Sequence, residues 1–367
     1  MLAGLITGER SLQLQEFPEP VPAEGGVVVD VAFCGICGTD VGAYTTGRPY
    51  RPALCGHEWT GTVSAVGRGV AAVSEGDRVV VSVPHPCGAC AECLAGHGDH
   101  CCSVVDFIHG RDPSAPPHGG FAPRIAVPEQ RVLAAHPGLD FETLAQVEPV
   151  TICVHAVARS GVREGDTVAV LGAGPVGLTA LQCAAAAGAG ELVVVEPDDA
   201  RRMLAGRLAQ RCGQAGIAVD PGAAPEVIAD RTGGIGADVV IDCVGGSAAL
   251  AQAVALCRRG GTVCMVGLAT GPATIEPAEW LRREVTVTSA IGYRREEFTR
   301  AMDLLAEGAL DTGALHTSTT GLAGLPQAFE DLATGATGQL KVLLNPNWLE
   351  AAWPDPGRPT EPGETRT

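Results

Sequence analysis

The sequence predicts an α/β protein in which an all-β unit precedes a doubly wound, parallel-sheet unit. Three observations carry this. Early apolar runs are short and interrupted by Gly and Pro; from about residue 155 strands alternate with helices; and a glycine-rich turn sits between one such strand and helix. In the first part, Val27 to Phe33, Gly61 to Gly67, Asp77 to Val83 and Arg124 to Val127 read as strands. In the second, Thr167 to Leu171 reads as a buried strand and Pro175 to Ala187 as an Ala-rich helix. Glu191 to Val195 (strand) and Asp198 to Gln210 (helix) follow. Next come Asp238 to Cys243 (strand), Ser247 to Arg258 (helix), and strands at Gly261 to Val266 and Val285 to Ile291. Such alternation predicts a parallel sheet with helices on both faces. After Arg294 a helix is expected to Leu305, then short strands ending at Lys341 to Leu344. The Pro-rich polar stretch from Ala351 to Thr367 can bury little and is expected to be a disordered tail.

A chain of 367 residues exceeds one ordinary core, so two domains are expected. No apolar run reaches the ~18 to 20 residues of a membrane helix, and no basic segment followed by an apolar run opens the chain, so a cytoplasmic protein is expected. A formal charge of −17 argues against nucleic acid and anionic membranes as partners and leaves small molecules. Fourteen cysteines in such a chain point to metal binding or burial rather than disulfides.

Gly172-Ala173-Gly174-Pro175-Val176-Gly177 directly follows the Thr167 to Leu171 strand and opens the next helix, which is the context a dinucleotide site requires. Gly172 allows the turn, Gly174 lets a pyrophosphate approach the helix N-terminus, and Gly177 lets helix and strand pack closely. Pro175 suits the first helical turn. Glu196, nineteen residues past Gly177, ends the next strand, where a carboxylate accepts ribose hydroxyls and repels a 2′-phosphate. Asp198 and Asp199 reinforce that repulsion. Arg201 and Arg202 pull the other way, with Arg201 a candidate cofactor contact; NAD is expected ahead of NADP.

Cys87, Cys90, Cys93 and Cys101 have the spacing of a closed four-thiolate zinc shell, a structural site that would fix a loop too poor in apolar residues to fold alone. His100 and Cys102 are neighbours that could substitute. A second group is Cys37-Gly38-Thr39-Asp40, Gly56-His57-Glu58 and Glu148. Cys37, His57 and either or both of Glu58 and Glu148 could supply the three ligands that leave a catalytic zinc one open position. Each also has a plain explanation: Cys34 and Cys37 as a redox pair, His57 as a bonded core residue, Glu148 as a cap or ion-pair partner.

Taken in order, Gly35-Ile36-Cys37-Gly38-Thr39-Asp40, Gly56-His57-Glu58, Gly76-Asp77-Arg78-Val79, the four-cysteine lobe, Val147-Glu148-Pro149 and the glycine-rich turn resemble the zinc-containing medium-chain alcohol dehydrogenases, nearest the polyol, butanediol and threonine dehydrogenase branch. The resemblance runs from residue 1 to about 346. It implies a GroES-like catalytic domain (residues 1–154) holding both zincs and a Rossmann NAD-binding domain (155–294). A return to the catalytic domain (295–348) and the tail (349–367) complete the chain. It implies two Zn2+ per subunit, with Cys37, His57 and Glu58 at family metal positions and Glu148 ligating directly or through water. Thr39 matches the hydroxyl that hydrogen-bonds the alcohol oxygen. Where many relatives carry a proton-relaying histidine five residues after the cysteine ligand, this chain has Gly42; Tyr44, ribose hydroxyls or water are the candidate replacements.

The expected activity is NAD-dependent interconversion of a secondary alcohol or polyol, amino-alcohols and aminocyclitols included, with the ketone, by a homodimer or homotetramer. A primary-alcohol dehydrogenase of the same family, or a catalytically silent nucleotide-binding relative, are the alternatives. Pocket candidates are Tyr44, Arg48, Tyr50, Trp59, Phe107, His109, Arg111 and Tyr293, with core packing or a solvated face as the competing reading.

Overall fold

The computed structural model describes residues 1–82, 86–108, 111–112, 115–212, 215–335 and 338–348; His109 and the expected tail at 349–367 lie outside the described residues. Strands β1 (Leu2–Gly8) and β2 (Ser11–Glu16) form an antiparallel hairpin. A larger sheet takes β3 (Gly26–Gly35), β4 (Glu58–Val66), β5 (Arg78–Val81), β6 (Arg124–Pro128) and β7 (Val132–Ala134). A parallel sheet takes β8 (Thr167–Leu171), β9 (Glu191–Val195), β10 (Ile217–Val219), β11 (Ala237–Asp242), β12 (Cys257–Met265) and β13 (Thr286–Ser289). Finally β14 (His316–Thr320) and β15 (Lys341–Leu344) rejoin the first large sheet, where β15 pairs antiparallel with β3.

The parallel sheet runs β10-β9-β8-β11-β12-β13, the order of a doubly wound dinucleotide fold, with its reversal between β8 and β11. Alternate residues of β8 enter two different cores. Val168 and Val170 pack with Leu178 and Leu181 of the Pro175–Ala186 helix, whereas Ala169 and Leu171 pack with Leu250, Ala253 and Val254 of the Gly246–Leu256 helix. Helices therefore cover both faces, which is why these strands read as unbroken apolar runs. A third core, inside the antiparallel sheet, gathers Val27, Val29, Val31, Val63, Val79 and Phe121 with Phe329 and Leu344 from the end of the chain.

The strand expected from Gly61 begins earlier, at Glu58, and the one expected over Val285 to Ile291 spans Thr286–Ser289; the largest difference lies elsewhere. The helix expected to Arg258 stops at Leu256, and the strand expected from Gly261 begins at Cys257. Cys257 pairs with Ala237, and the register shifts before Val239 pairs with Thr262, so Arg258 to Gly261 form an irregularity inside the strand. Gly-Gly permits such a bulge and hides the strand from a periodicity argument. The Val147–Ser160 helix, unforeseen, is amphipathic and packs beside both the parallel sheet and β4 and β5. Among the described residues no helix is long and apolar enough to cross a membrane.

Candidate functional site

Cys37 caps the Gly38–Thr46 helix: the Thr39 amide donates to its Sγ (3.4 Å), and its own amide donates to the Asp40 carboxylate (3.1 Å). Sulfur thus stands at a helix N-terminus, where negative charge is favoured. Asp40 is fully buried and accepts from the Tyr50 hydroxyl at 2.8 Å. It also stands 3.6 Å from His57 Nδ1. The Leu54 carbonyl lies 3.0 Å from that same Nδ1. Donation from Nδ1 to Leu54 leaves the Nε2 lone pair free, the usual arrangement behind a metal-binding imidazole. Burial opposes protonation of His57, while Tyr50, Asp40 and Cys37 favour it and push its pKa up.

Glu58 opens β4 opposite Gly35, and a Cβ on Gly35 would lie 2.1 Å from Glu58 Oε2. The absent side chain is the space the carboxylate fills. Glu58 is 1% exposed, and Lys341, the first residue of β15, donates to its Oε2 at 2.7 Å and to the Ile36 carbonyl at 3.3 Å. Burial works against the Lys341 charge and Glu58 more than compensates, raising its pKa. Cys37, His57 and Glu58 bring one ligand atom each to within 4.8 Å of one another. Glu148, in the first turn of the Val147–Ser160 helix, falls outside that compact group. Burial pushes its carboxyl up to about 7 against the pull of His57, while Glu58 adds to the rise and the Tyr293 hydroxyl beside it opposes.

Cys87, Cys90, Cys93 and Cys101 form the second group, their sulfurs all within 4.8 Å of one another. Four thiolates ~2.3 Å from one zinc would stand about 3.8 Å apart, so little movement is needed. Backbone amides are already turned toward sulfur: Cys87 donates to Cys101 at 3.1 Å and Cys90 to Cys87 at 3.3 Å. Burial resists ionisation of Cys101, but hydrogen bonds from Ser103 and Cys87 win and draw its thiol down to about 5. His100 and Cys102 stay outside the group. Cys101→Ser is expected to lower the zinc content by one ion per chain and the thermal midpoint by several degrees, read by elemental analysis and a melting scan.

At the glycine-rich turn Gly172 has φ +91°, and a Cβ on Gly177 would lie 1.9 Å from the Gly172 carbonyl oxygen. Gly174, the N-cap of the Pro175–Ala186 helix, would meet nothing within 4 Å, so the free chain has no need of glycine there. That open cradle, with helix amides facing it, fits a pyrophosphate. Glu196 is buried at the end of β9, its Oε2 accepting from the Ala173 amide (2.7 Å) and its Oε1 from Asp198 (2.9 Å). Arg202 is committed to the Glu196 and Pro197 carbonyls and Asp199, whereas the Arg201 side chain has no polar partner among the described residues.

Other candidates are engaged within the protein or lie at its surface. The Tyr44 hydroxyl donates to Glu330 at 3.0 Å, which removes it as a replacement for the relay histidine. Arg48 reaches the Thr39 carbonyl at 3.3 Å, Arg111 pairs with Asp106 at the surface, and Trp59 is core. Asp40 stands within a motif that gives it no role of its own, and Lys341 is not singled out by the sequence. Spacing of Asp40 three past Cys37 was the available clue, and Lys341 had none.

A metal-ligand cluster with one sheet and a nucleotide-type turn on another define a metal-dependent oxidoreductase. This chain belongs to the zinc-containing medium-chain dehydrogenases. The alcohol dehydrogenase GroES-like domain matches residues 23–137 and the zinc-binding dehydrogenase family matches 175–307. Sorbitol dehydrogenase of Bacillus subtilis (strain 168) is 31% identical over 354 residues, 95% of this chain and 98% of that protein. The crystal structure of 2R,3R-butanediol dehydrogenase from Bacillus subtilis matches with a TM-score of 0.81 at 30% identity, covering 94% of this chain and 99% of that one. A zinc-binding dehydrogenase structure from Sinorhizobium meliloti 1021, bound to NADP, matches at 0.79 and 30% identity over 94% and 99%.

Proposed function

We propose that this enzyme interconverts a secondary alcohol or polyol and its ketone, using NAD and a catalytic zinc held by Cys37, His57 and Glu58, with Glu148 completing the set. The observation that carries the reading is the Cys37, His57 and Glu58 cluster in a chain that also has a turn built to admit a pyrophosphate. Bound zinc supplies Lewis acidity to the alcohol oxygen, and bound NAD accepts the hydride. The chain's own residues do the rest. Thr39, whose hydroxyl has no partner in the structure, hydrogen-bonds the substrate oxygen from beside Cys37. Asp40 and Tyr50 orient His57 through Nδ1, and Lys341 neutralises Glu58 so that two carboxylates tolerate one buried site.

The second zinc belongs to Cys87, Cys90, Cys93 and Cys101. Glu196 supports NAD over NADP, because its carboxylate is fixed by two amides where the adenosine ribose of a bound cofactor would lie. Glu196→Gln keeps the shape and removes the charge. The ratio of kcat/KM for NAD to that for NADP is expected to fall about tenfold, measured on one alcohol. The exposed Leu281 and Ile291 flank edge strand β13 and support a homo-oligomer joined there. The absence of a membrane-crossing helix among the described residues supports a cytoplasmic enzyme. Domain limits are placed at 154, 294 and 348. The deciding experiment is a panel of primary alcohols, secondary alcohols and polyols with NAD, following reduced cofactor. No turnover on any of them overturns the proposal, and faster oxidation of primary alcohols redirects it.

A further inference from the structure

Arg131 lies between β6 and β7 and is 7% exposed, yet it has no acidic partner within ion-pair distance among the described residues. Its Nε donates to the Ser82 carbonyl at 2.7 Å, and its guanidinium carbon sits 3.9 Å above the Phe107 ring. Its two terminal nitrogens make no hydrogen bond. They are not sealed in either, since Arg78 Nε is the one fully enclosed unpartnered side-chain nitrogen among the described residues. They therefore keep some accessibility at the end of a buried stem. Compare Lys341, equally buried, whose charge meets Glu58 at 2.7 Å. Asp112 and Glu148 act on Arg131 from beyond ion-pair distance, so the buried fork keeps unengaged donors and leaves room for an anion from outside.

The location says which anion. Arg131 lies within electrostatic reach of Tyr293, Asp112 and Glu148, and Glu148 within reach of His57 and Glu58. The Tyr293 hydroxyl likewise has no hydrogen-bond partner other than the Glu148 it stands beside. Electrostatic neighbours therefore link the Cys37, His57 and Glu58 cluster, through Glu148 and Tyr293, to the Arg131 fork. Burial lowers the Arg131 pKa only to about 10, so the fork stays charged at neutral pH.

We propose that Arg131 is the specificity-determining residue of the alcohol cleft, receiving a carboxylate or phosphate at the end of the substrate remote from the reacting carbinol. The substrate class is then a hydroxy acid or sugar-alcohol phosphate of polyol length rather than a neutral polyol. A planar guanidinium with two free terminal nitrogens matches either anion bidentately. The proposal rests on the reading of this cleft as the alcohol site.

The test compares hexitols, the corresponding hexonates and the hexitol 1-phosphates, each with NAD, in the zinc-loaded enzyme and in Arg131→Met and Arg131→Lys. In the natural enzyme kcat/KM for at least one anionic series is expected to exceed that for its hexitol more than tenfold. Whichever of hexonate and phosphate leads identifies the anion. In Arg131→Met the anionic-to-neutral ratio should fall roughly 30-fold to 100-fold, mainly through KM, the size of a lost charge-assisted hydrogen-bond pair. Arg131→Lys should recover part of the ratio, which a purely structural role would not require. A neutral preference in the natural enzyme, or a ratio unmoved by Arg131→Met, overturns the inference and leaves the dehydrogenase reading standing. If no compound in either class turns over, the dehydrogenase reading fails by itself, and calorimetry on the NAD-loaded protein decides this one. Hexonate or phosphate binding tighter than hexitol, and lost in Arg131→Met, supports it; equal binding overturns it. Should Arg131→Met fail to fold, Arg131→Lys alone carries both readouts.

Discussion

His57→Ala is expected to lower kcat/KM for every alcohol by about a thousandfold or more and to release one zinc per chain. The reasoning runs from the local chain. His57 Nδ1 is held by the Leu54 carbonyl and flanked by Asp40, so Nε2 is the only ring nitrogen left to bind a metal. Removing it leaves Cys37 and Glu58 of the compact group, with Glu148 outside it, and takes away the only neutral nitrogen ligand of the proposed set. Lewis-acid stabilisation is worth several kcal/mol, and about 4 kcal/mol corresponds to a thousandfold in rate. Elemental analysis should fall from two zincs to one, since the four-cysteine group is untouched. Retention of both zincs with activity near that of the natural enzyme would remove His57 from the site. The contrast with Cys101→Ser is informative: both lose one zinc, but only His57→Ala should lose activity out of proportion to stability.

Lys341→Met is the second large effect, and it falls on stability. Glu58 and Lys341 are both buried and 2.7 Å apart, so the substitution strands a carboxylate in an apolar interior. Breaking such a pair costs about 3–5 kcal/mol, whereas replacing both members by uncharged groups is often close to neutral. For a domain of this size the loss is roughly 10 °C in the thermal midpoint. Glu58→Gln combined with Lys341→Met should regain a good part of that while remaining poor in activity, because the proposed ligand is gone. If the single Lys341→Met melts where the natural enzyme does, the pair contributes nothing and Glu58 must be neutralised by other means.

Much of the architecture was legible because it is local. The strand, glycine turn and helix from Thr167 to Ala186 are consecutive, and their apolar runs mark a sheet buried on both faces. The four-cysteine group was legible for the same reason: its spacing confines the sulfurs before any tertiary contact forms. Arg258 to Gly261 misled because a strand bulge at Gly-Gly has neither period 2 nor period 3.6. Tyr44 misled in another way. It lies close in sequence to the missing relay histidine, but the helix turns its hydroxyl to Glu330, which arrives 286 residues later. Lys341 and Arg131 had no signal, since a lone cation in a strand or loop reads as surface until the sheet closes over it.

The pairing of β15 with β3 also has a consequence for biosynthesis. Glu58 leaves the ribosome 283 residues before the lysine that balances it, an interval of roughly 15–60 s at ordinary rates of translation. Through that time the β3–β4 half of the catalytic cleft exists without its cation, and the whole nucleotide-binding sheet is synthesised in between. Chains halted before Lys341 should therefore hold nucleotide before they hold an intact metal site, which makes cofactor binding the earlier of the two competences the nascent enzyme acquires.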